Sequence, residues 1–255
     1  MKTLMVMLVL ARAATAGEPK DLPACPTKSD APDLAQLLTR VEKSMQGSSS
    51  IGTVTMTIKT TKWTRTLKMK MWGKGEDYAL VRILEGGPRE KGMMTLKRDK
   101  QLWNYLPQAG RVMKVPSGML GDSWMGSDFT NDDLVHGTSI VRDFDAKLVS
   151  QTKAAWRVDL VPRKNATVVW DKIEVTLDRA TCVPVLERFY DEDGKVARTM
   201  TFGDIRSIGW RHFPAKLTVK PSEAGRETSI AYDSIELDID VPDDTFSLRR
   251  LQQGR

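Results

Sequence analysis

The sequence predicts a mainly β fold with few helices. A long antiparallel sheet forms a strongly curved, half-open β-barrel, with one N-terminal helix and one apolar loop over its concave face. Three observations predict it. From residue 53 onward, apolar residues recur at every second position in segment after segment. One stretch, Asp33 to Gln46, has helical spacing instead. A Met-, Trp- and Asp-rich stretch, Gly121 to Val135 (GDSWMGSDFTNDDLV), interrupts the alternation midway. A sheet of about a dozen strands curls or closes rather than staying flat. The helix and the loop then fill its concave side and leave a hydrophobic cavity with a cover.

Residues 1–16 read as a secretory signal: Lys2, an apolar run from Leu4 to Leu10, and an Ala14-Thr15-Ala16 cleavage site. The run is far shorter than the ~20 residues of a membrane-spanning helix. Export to the periplasm is the expectation, and removing Lys2 and Arg12 lowers the formal charge from +6 to +4. That charge is too mild and dispersed for a nucleic-acid partner. Residues 17–32, rich in Pro, Lys and Asp, read as a linker, and 33–250 as a single domain.

In the helix, Leu34, Leu37, Leu38, Val41 and Met45 form the apolar stripe. Pro32 suits its first turn and Gly47 its stop. Strands are then expected at Thr53–Ile58, Leu67–Met71, Tyr78–Leu84, Met93–Arg98, Leu102–Leu106 and Arg111–Val115. After the loop they resume at Lys147–Gln151, Trp156–Val161, Val168–Leu177, Val183–Tyr190, Ala197–Ile205, Phe213–Val219 and Thr228–Leu237. Turn signals separate them at Gly73–Gly75, Gly86–Pro88, Asp191–Gly194 and Pro221–Gly225.

The cavity face is expected to carry Val54, Met56 and Ile58 from one strand, Leu67, Met69 and Met71 from the next, and Trp103 and Tyr105. The covering loop sets Met119, Leu120, Trp124, Met125 and Phe129 beside four aspartates. Such a segment must plug a cavity or bind something, because water does not hold it in place. The two cysteines, Cys25 and Cys182, leave three outcomes open: a disulfide, two free thiols, or an acyl chain on Cys25. Leu22-Pro-Ala-Cys25 has the outline of a lipoprotein attachment site, with Pro23 a poor fit.

Several patterns invite chemistry. Gly121-Asp-Ser-Trp-Met-Gly126 approaches the nucleophile elbow of serine hydrolases, but its second glycine comes one residue late and no α/β context surrounds it. His136 and His212 are the only histidines, so candidate bases for Ser123 are few. Asp128, Asp132 and Asp133 lack the spacing of a calcium loop. Asp128 or Thr130 capping a short helix from Asn131 explains them better. No cysteine–histidine cluster supports zinc, and no metal or cofactor is expected. The thirteen methionines, concentrated on neighbouring strands and the loop, suit a surface that adapts to varied apolar shapes. Trp124 is expected at a cavity mouth, its indole N–H offered to water or a head group. Arg65, Lys68, Lys70, Lys97, Arg98, Arg111 and Lys114 read as a solvated convex face, or as a surface that meets anionic head groups.

Several motifs together carry a resemblance: Trp63-Thr-Arg65, Trp103-Asn-Tyr-Leu-Pro107, Ser123 to Leu134 (SWMGSDFTNDDL), and Phe189-Tyr-Asp-Glu-Asp-Gly194. Over residues 33 to 245 the chain resembles the outer-membrane lipoprotein-sorting proteins of the LolA-like family, in a branch distinct from LolA itself. The resemblance implies a LolA/LolB-like half-barrel whose cavity shelters acyl chains of lipids or lipoproteins crossing the periplasm, and no catalytic residues. Implied partners are those acyl chains, an inner-membrane export permease and an outer-membrane acceptor; a monomer is expected. The alternatives are a non-carrier accessory subunit of an export permease and, third, a lipid esterase.

Overall fold

The structure, a computed structural model, describes residues 23–28, 30–135 and 139–253. The signal-peptide reading of residues 1–16 lies outside them. Two short strands, β1 (Thr27–Lys28) and β2 (Ala31–Pro32), pair in a hairpin and lead into helix α1 (Leu34–Gln46). Asp33 caps the helix by accepting the Gln36 backbone N–H at 3.3 Å. Gly47 ends it at φ +66°, a conformation that glycine adopts without steric cost.

Six strands follow as a meander: β3 (Ser49–Lys59), β4 (Thr64–Lys74), β5 (Tyr78–Glu85), β6 (Met94–Arg98), β7 (Gln101–Leu106) and β8 (Arg111–Lys114). A second meander runs β9 (Phe144–Gln151), β10 (Ala155–Pro162), β11 (Lys172–Asp178), β12 (Pro184–Tyr190), β13 (Val196–Ile208), β14 (Arg211–Pro221) and β15 (Glu227–Leu237). All pairings are antiparallel, and the last strand joins the first, β15 beside β3. The result is one 13-stranded sheet with β8 and β9 as its free edges. It curves without closing into a barrel. The chain leaves one edge at β8 and re-enters at the other, so residues 115–143 must span the whole width of the sheet.

On the inner face, α1 covers the second meander. Leu37, Leu38 and Val41 are buried against Trp156, Val158, Leu160, Val175 and Leu177. Cys25 and Cys182 are joined in a disulfide, with Cα atoms 5.6 Å apart, which ties the segment before α1 to the β11–β12 turn. Arg40 adds hydrogen bonds to the carbonyl oxygens of Pro23 and Ala24. A sulfur in this bond has no valence left for an acyl chain, which removes the lipidated Cys25 reading.

Along the chain the structure departs from the sequence reading: the expected linker 17–32 contains the β1–β2 hairpin, and two further segments differ. The segment from Val168 runs irregularly until Lys172, and Trp170 turns its ring edge-on to Phe189, centroids 5.2 Å apart. The tail beyond β15 also has structure that the sequence reading left out: a 3-10 turn at Asp243–Phe246 and helix α3 (Leu248–Gln252). Val241, Phe246 and Leu251 bury themselves against Leu80, Met94 and Leu96 on the face of the sheet turned away from α1.

Reduction, or Cys182→Ser, is expected to lower unfolding stability by about 2–5 kcal/mol. Urea melts with and without reductant measure it, and coincident midpoints would show that α1 packing alone holds the N-terminal segment.

Candidate functional site

The segment that spans the sheet edges is a strap with its own internal bonding. The Trp124 backbone N–H donates to the Phe129 carbonyl at 2.8 Å, and the Ser127 hydroxyl to the Trp124 carbonyl at 2.7 Å. Thr130 caps helix α2 (Asn131–Val135) in a reciprocal box: the Asp133 N–H donates to Thr130 Oγ1 at 3.1 Å, and the Thr130 N–H to Asp133 Oδ2 at 2.8 Å. Ser123 forms a bridge with Thr130. His136, its candidate base, lies outside the described residues.

Polar latches fasten this strap to both meanders. Arg198 on β13 grips Asp133 with two hydrogen bonds of 2.7 and 2.8 Å. Arg226 donates to Asp128 Oδ1 at 3.0 Å, and Thr228 to Asp128 Oδ2 at 2.7 Å. From the other side Arg65, paired with Glu90 at 3.0 Å, donates to the Met125 carbonyl. The Arg65 guanidinium lies 3.2 Å from where a Cβ on Gly126 would stand, at φ +69°. Asp128 and Asp133, weighed as calcium ligands, are thus arginine partners.

Trp124 is the apolar bolt. It is 4 % exposed and packs among Val54, Met56, Ile58, Leu67 and Met69. Its indole N–H donates to Thr95 Oγ1 at 3.1 Å, and Thr95 in turn to Asn104 at 2.7 Å. This corrects the expectation of an N–H facing water: the sheet itself supplies the acceptor, so the ring is free to bury.

Between strap and sheet lies a cavity of about 330 Å³. Met69, Met71 and Val81 contribute from the first meander; Ile173, Val175, Phe189 and Met200 from the second; Ile230 from the seam. Trp124, Phe129, Leu134 and Ile140 roof it. Of the expected cavity residues, Met69, Met71, Trp124 and Phe129 meet here. Val54, Met56, Ile58 and Leu67 are fully buried beneath Trp124 and do not reach it. Trp103 and Tyr105 belong to the opposite face: they stand across from Leu96 and Met94 and pack under the C-terminal tail. Asn104 between them is the residue turned inward, because side chains alternate along a strand. Met119 is 49 % exposed, and Leu120 and Met125 are partly buried in the strap. Of the basic residues expected on the convex face, Arg65 and Lys97 instead lie on the strap side, in register with Ile58 and, through Thr95, with Val81. A larger cleft nearby, about 760 Å³, is walled by Glu76, Asp77, Lys97, Arg142, Asp143 and Arg163 and is polar.

Besides Asp133 on the strap, two charged side chains of the sheet interrupt the apolar cavity wall. Arg198 is 8 % exposed and lies against both Phe189 and Trp170, whose centroids are 4.4 and 4.6 Å from its guanidinium. Glu187 on β12 stands in a cross-strand row with Val158, Val175, Met200 and Val219. Removal of its water pushes its pKa up to about 7, against a weaker pull from Arg198. The sequence reading missed both. Their signal was an acidic and a basic residue in strands otherwise scored only for alternation.

This fold, an open, strongly curved antiparallel sheet with a strap and helix over its concave face, is shared with three solved proteins. The chain matches an outer membrane lipoprotein-sorting protein domain from Vibrio parahaemolyticus (TM-score 0.73, 20% identity, 86% of this chain and 97% of that chain). It matches a DUF1329 family protein from Desulfovibrio piger (0.76, 19%, 85% and 97%) and a LolA superfamily protein from Nitrosomonas europaea (0.68, 16%, 84% and 97%). No curated protein matches the sequence. A family model with the description "Uncharacterized protein" matches residues 75–253, and the chain belongs to that family.

A carboxyl whose pKa rises from 4.5 to about 7 on folding binds its proton more tightly folded than unfolded. Its contribution to stability is complete below pH 4.5 and is lost as pH rises through 7. The charged groups that share its cavity wall, Arg198 and Asp133, hold each other. Glu187→Gln is therefore expected to gain on the wild type by about 2–3 kcal/mol between pH ~4.5 and ~7.5, read from paired thermal melts. A pH-independent difference would show that the carboxyl is hydrated.

Proposed function

We propose that the protein is a periplasmic carrier that sequesters acyl chains of lipids or lipoproteins in the cavity beneath the strap, for passage toward the outer membrane. The observation that carries this reading is an apolar chamber roofed by a segment whose outer attachments are polar and few. At about 30 Å³ per water-sized group, the chamber takes on the order of ten methylenes. Burying each is worth roughly 0.8 kcal/mol, or about 8 kcal/mol before the cost of binding. A latch to a charged group is worth about 1.5–3 kcal/mol net. The Asp133, Asp128 and Met125 latches together are thus of the same order as the burial of one chain. A near balance of that kind permits both uptake and release.

The strap is the moving part in this reading. Helix α1 is fixed in it, held by three buried apolar residues and a disulfide. The N-terminal signal pattern and a disulfide suited to an oxidising compartment support the periplasm. The fold shared with the Vibrio sorting-protein domain supports the cargo class.

Purified protein is expected to carry, or take up, acyl-chain ligands in native mass spectrometry, and Met71→Lys to abolish uptake with the fold intact by circular dichroism. Bare protein after incubation with acyl ligands would return the reading to an accessory subunit of an export permease. Asp128→Asn, which weakens the Arg226 latch, is expected to speed ligand dissociation about tenfold in stopped-flow displacement. An unchanged rate would mean that the strap does not gate the cavity.

A further inference from the structure

One feature of the cavity serves no purpose in a plain acyl slot. Glu187 lines the wall between Met200 and Val175, yet no protein group among the described residues hydrogen-bonds or ion-pairs with its carboxyl. Any aliphatic side chain would close this apolar row better. The nearest cation, Arg198, is committed to Asp133 through both terminal nitrogens. A purely hydrocarbon ligand strands the carboxyl as an unmatched buried polar group, which is costly. A ligand that brings a hydrogen-bond donor to that point does not.

A cationic donor fits poorly. It requires an ionised Glu187 in an apolar wall, the state that desolvation opposes. A neutral donor meets the carboxyl in either protonation state. A secondary amide meets it with one group at a time, because its N–H and C=O point in opposite directions: the N–H donates to a Glu187 oxygen, or the C=O accepts the proton of the neutral acid. A hydroxyl also both donates and accepts. A simple ester can only accept: it takes the proton of the neutral acid, but offers nothing to the acid's carbonyl oxygen or to the carboxylate.

Resting on the carrier reading above, we propose that Glu187 makes the cavity selective for acyl chains bearing a neutral donor at the head end, an amide N–H or a hydroxyl, over chains joined by a plain ester. The test is displacement of a fluorescent fatty-acid probe by N-methyl lauramide, methyl β-hydroxylaurate and methyl laurate. In the wild type, the first two are expected to bind about tenfold tighter than the third. Whichever binds tighter identifies the donor as amide or hydroxyl. Glu187→Leu should weaken the donor-bearing ligands, tighten the plain ester and so erase the preference, while Glu187→Gln should keep it. Glu187→Met, which repeats the facing Met200, replaces the leucine variant if that one fails to fold. Equal binding of all three ligands by the wild type overturns the selectivity and leaves the carrier standing. A preference that persists in a folded Glu187→Leu or Glu187→Met overturns the assignment to this residue. Failure of all three to bind overturns the carrier reading, and this proposal with it.

Discussion

Everything distinctive in this protein follows from where the chain closes its sheet. Because β15 pairs with β3, the two meanders fuse at the chain's ends and leave their free edges at the middle. The connection from β8 to β9 therefore cannot be a tight turn; it must travel from one rim of the curved sheet to the other. A curved sheet offers the shorter path across its concave side. The strap is thus a topological necessity before it is a cover, and its apolar composition is what a segment crossing a concave apolar surface requires.

The strap solves a conflict between adhesion and release. A wholly apolar segment would collapse onto the sheet and leave no chamber. Here Trp124 packs deeply among the apolar residues of the sheet, with its indole N–H satisfied by Thr95. The other attachments are polar: Arg65 from one meander, Arg198, Arg226 and Thr228 from the other, and Glu42 of α1, which accepts from Ser139 and Val141. Hydrogen bonds to charged groups hold geometry firmly, yet each exchanges for water at modest net cost. The opposite flank has a different design. There α1 is buried along its stripe and tied by Cys25–Cys182, and it serves as a fixed wall.

The cavity wall shows the same mixture at a smaller scale. Arg198 is tolerable in an apolar wall because Asp133 neutralises it and two aromatic faces cover it. Glu187, on the neighbouring strand, has no such compensation, and its raised proton affinity is the physical expression of that. An apolar chamber with an unmatched carboxyl in its wall differs from a greasy slot: it sets a chemical condition on what fills it.

The sequence by itself determined the strands, the first helix and the existence of a covering segment, because each rests on local periodicity. Val54, Met56 and Ile58, or Leu34, Leu38 and Val41, can share a face at only one spacing. It also marked Met69, Met71, Trp124 and Phe129, apolar side chains that the strap and β4 bring together. Only the tertiary structure decided which face each strand turns inward. Trp103 and Tyr105 alternate with Asn104, and both faces of β7 are covered, one by the strap and the other by the C-terminal tail, so composition alone gave no direction. It likewise took the register across β12 and β13 to set Glu187 into an apolar row beside Arg198. Charge in a sequence says nothing about burial until distant strands stand side by side.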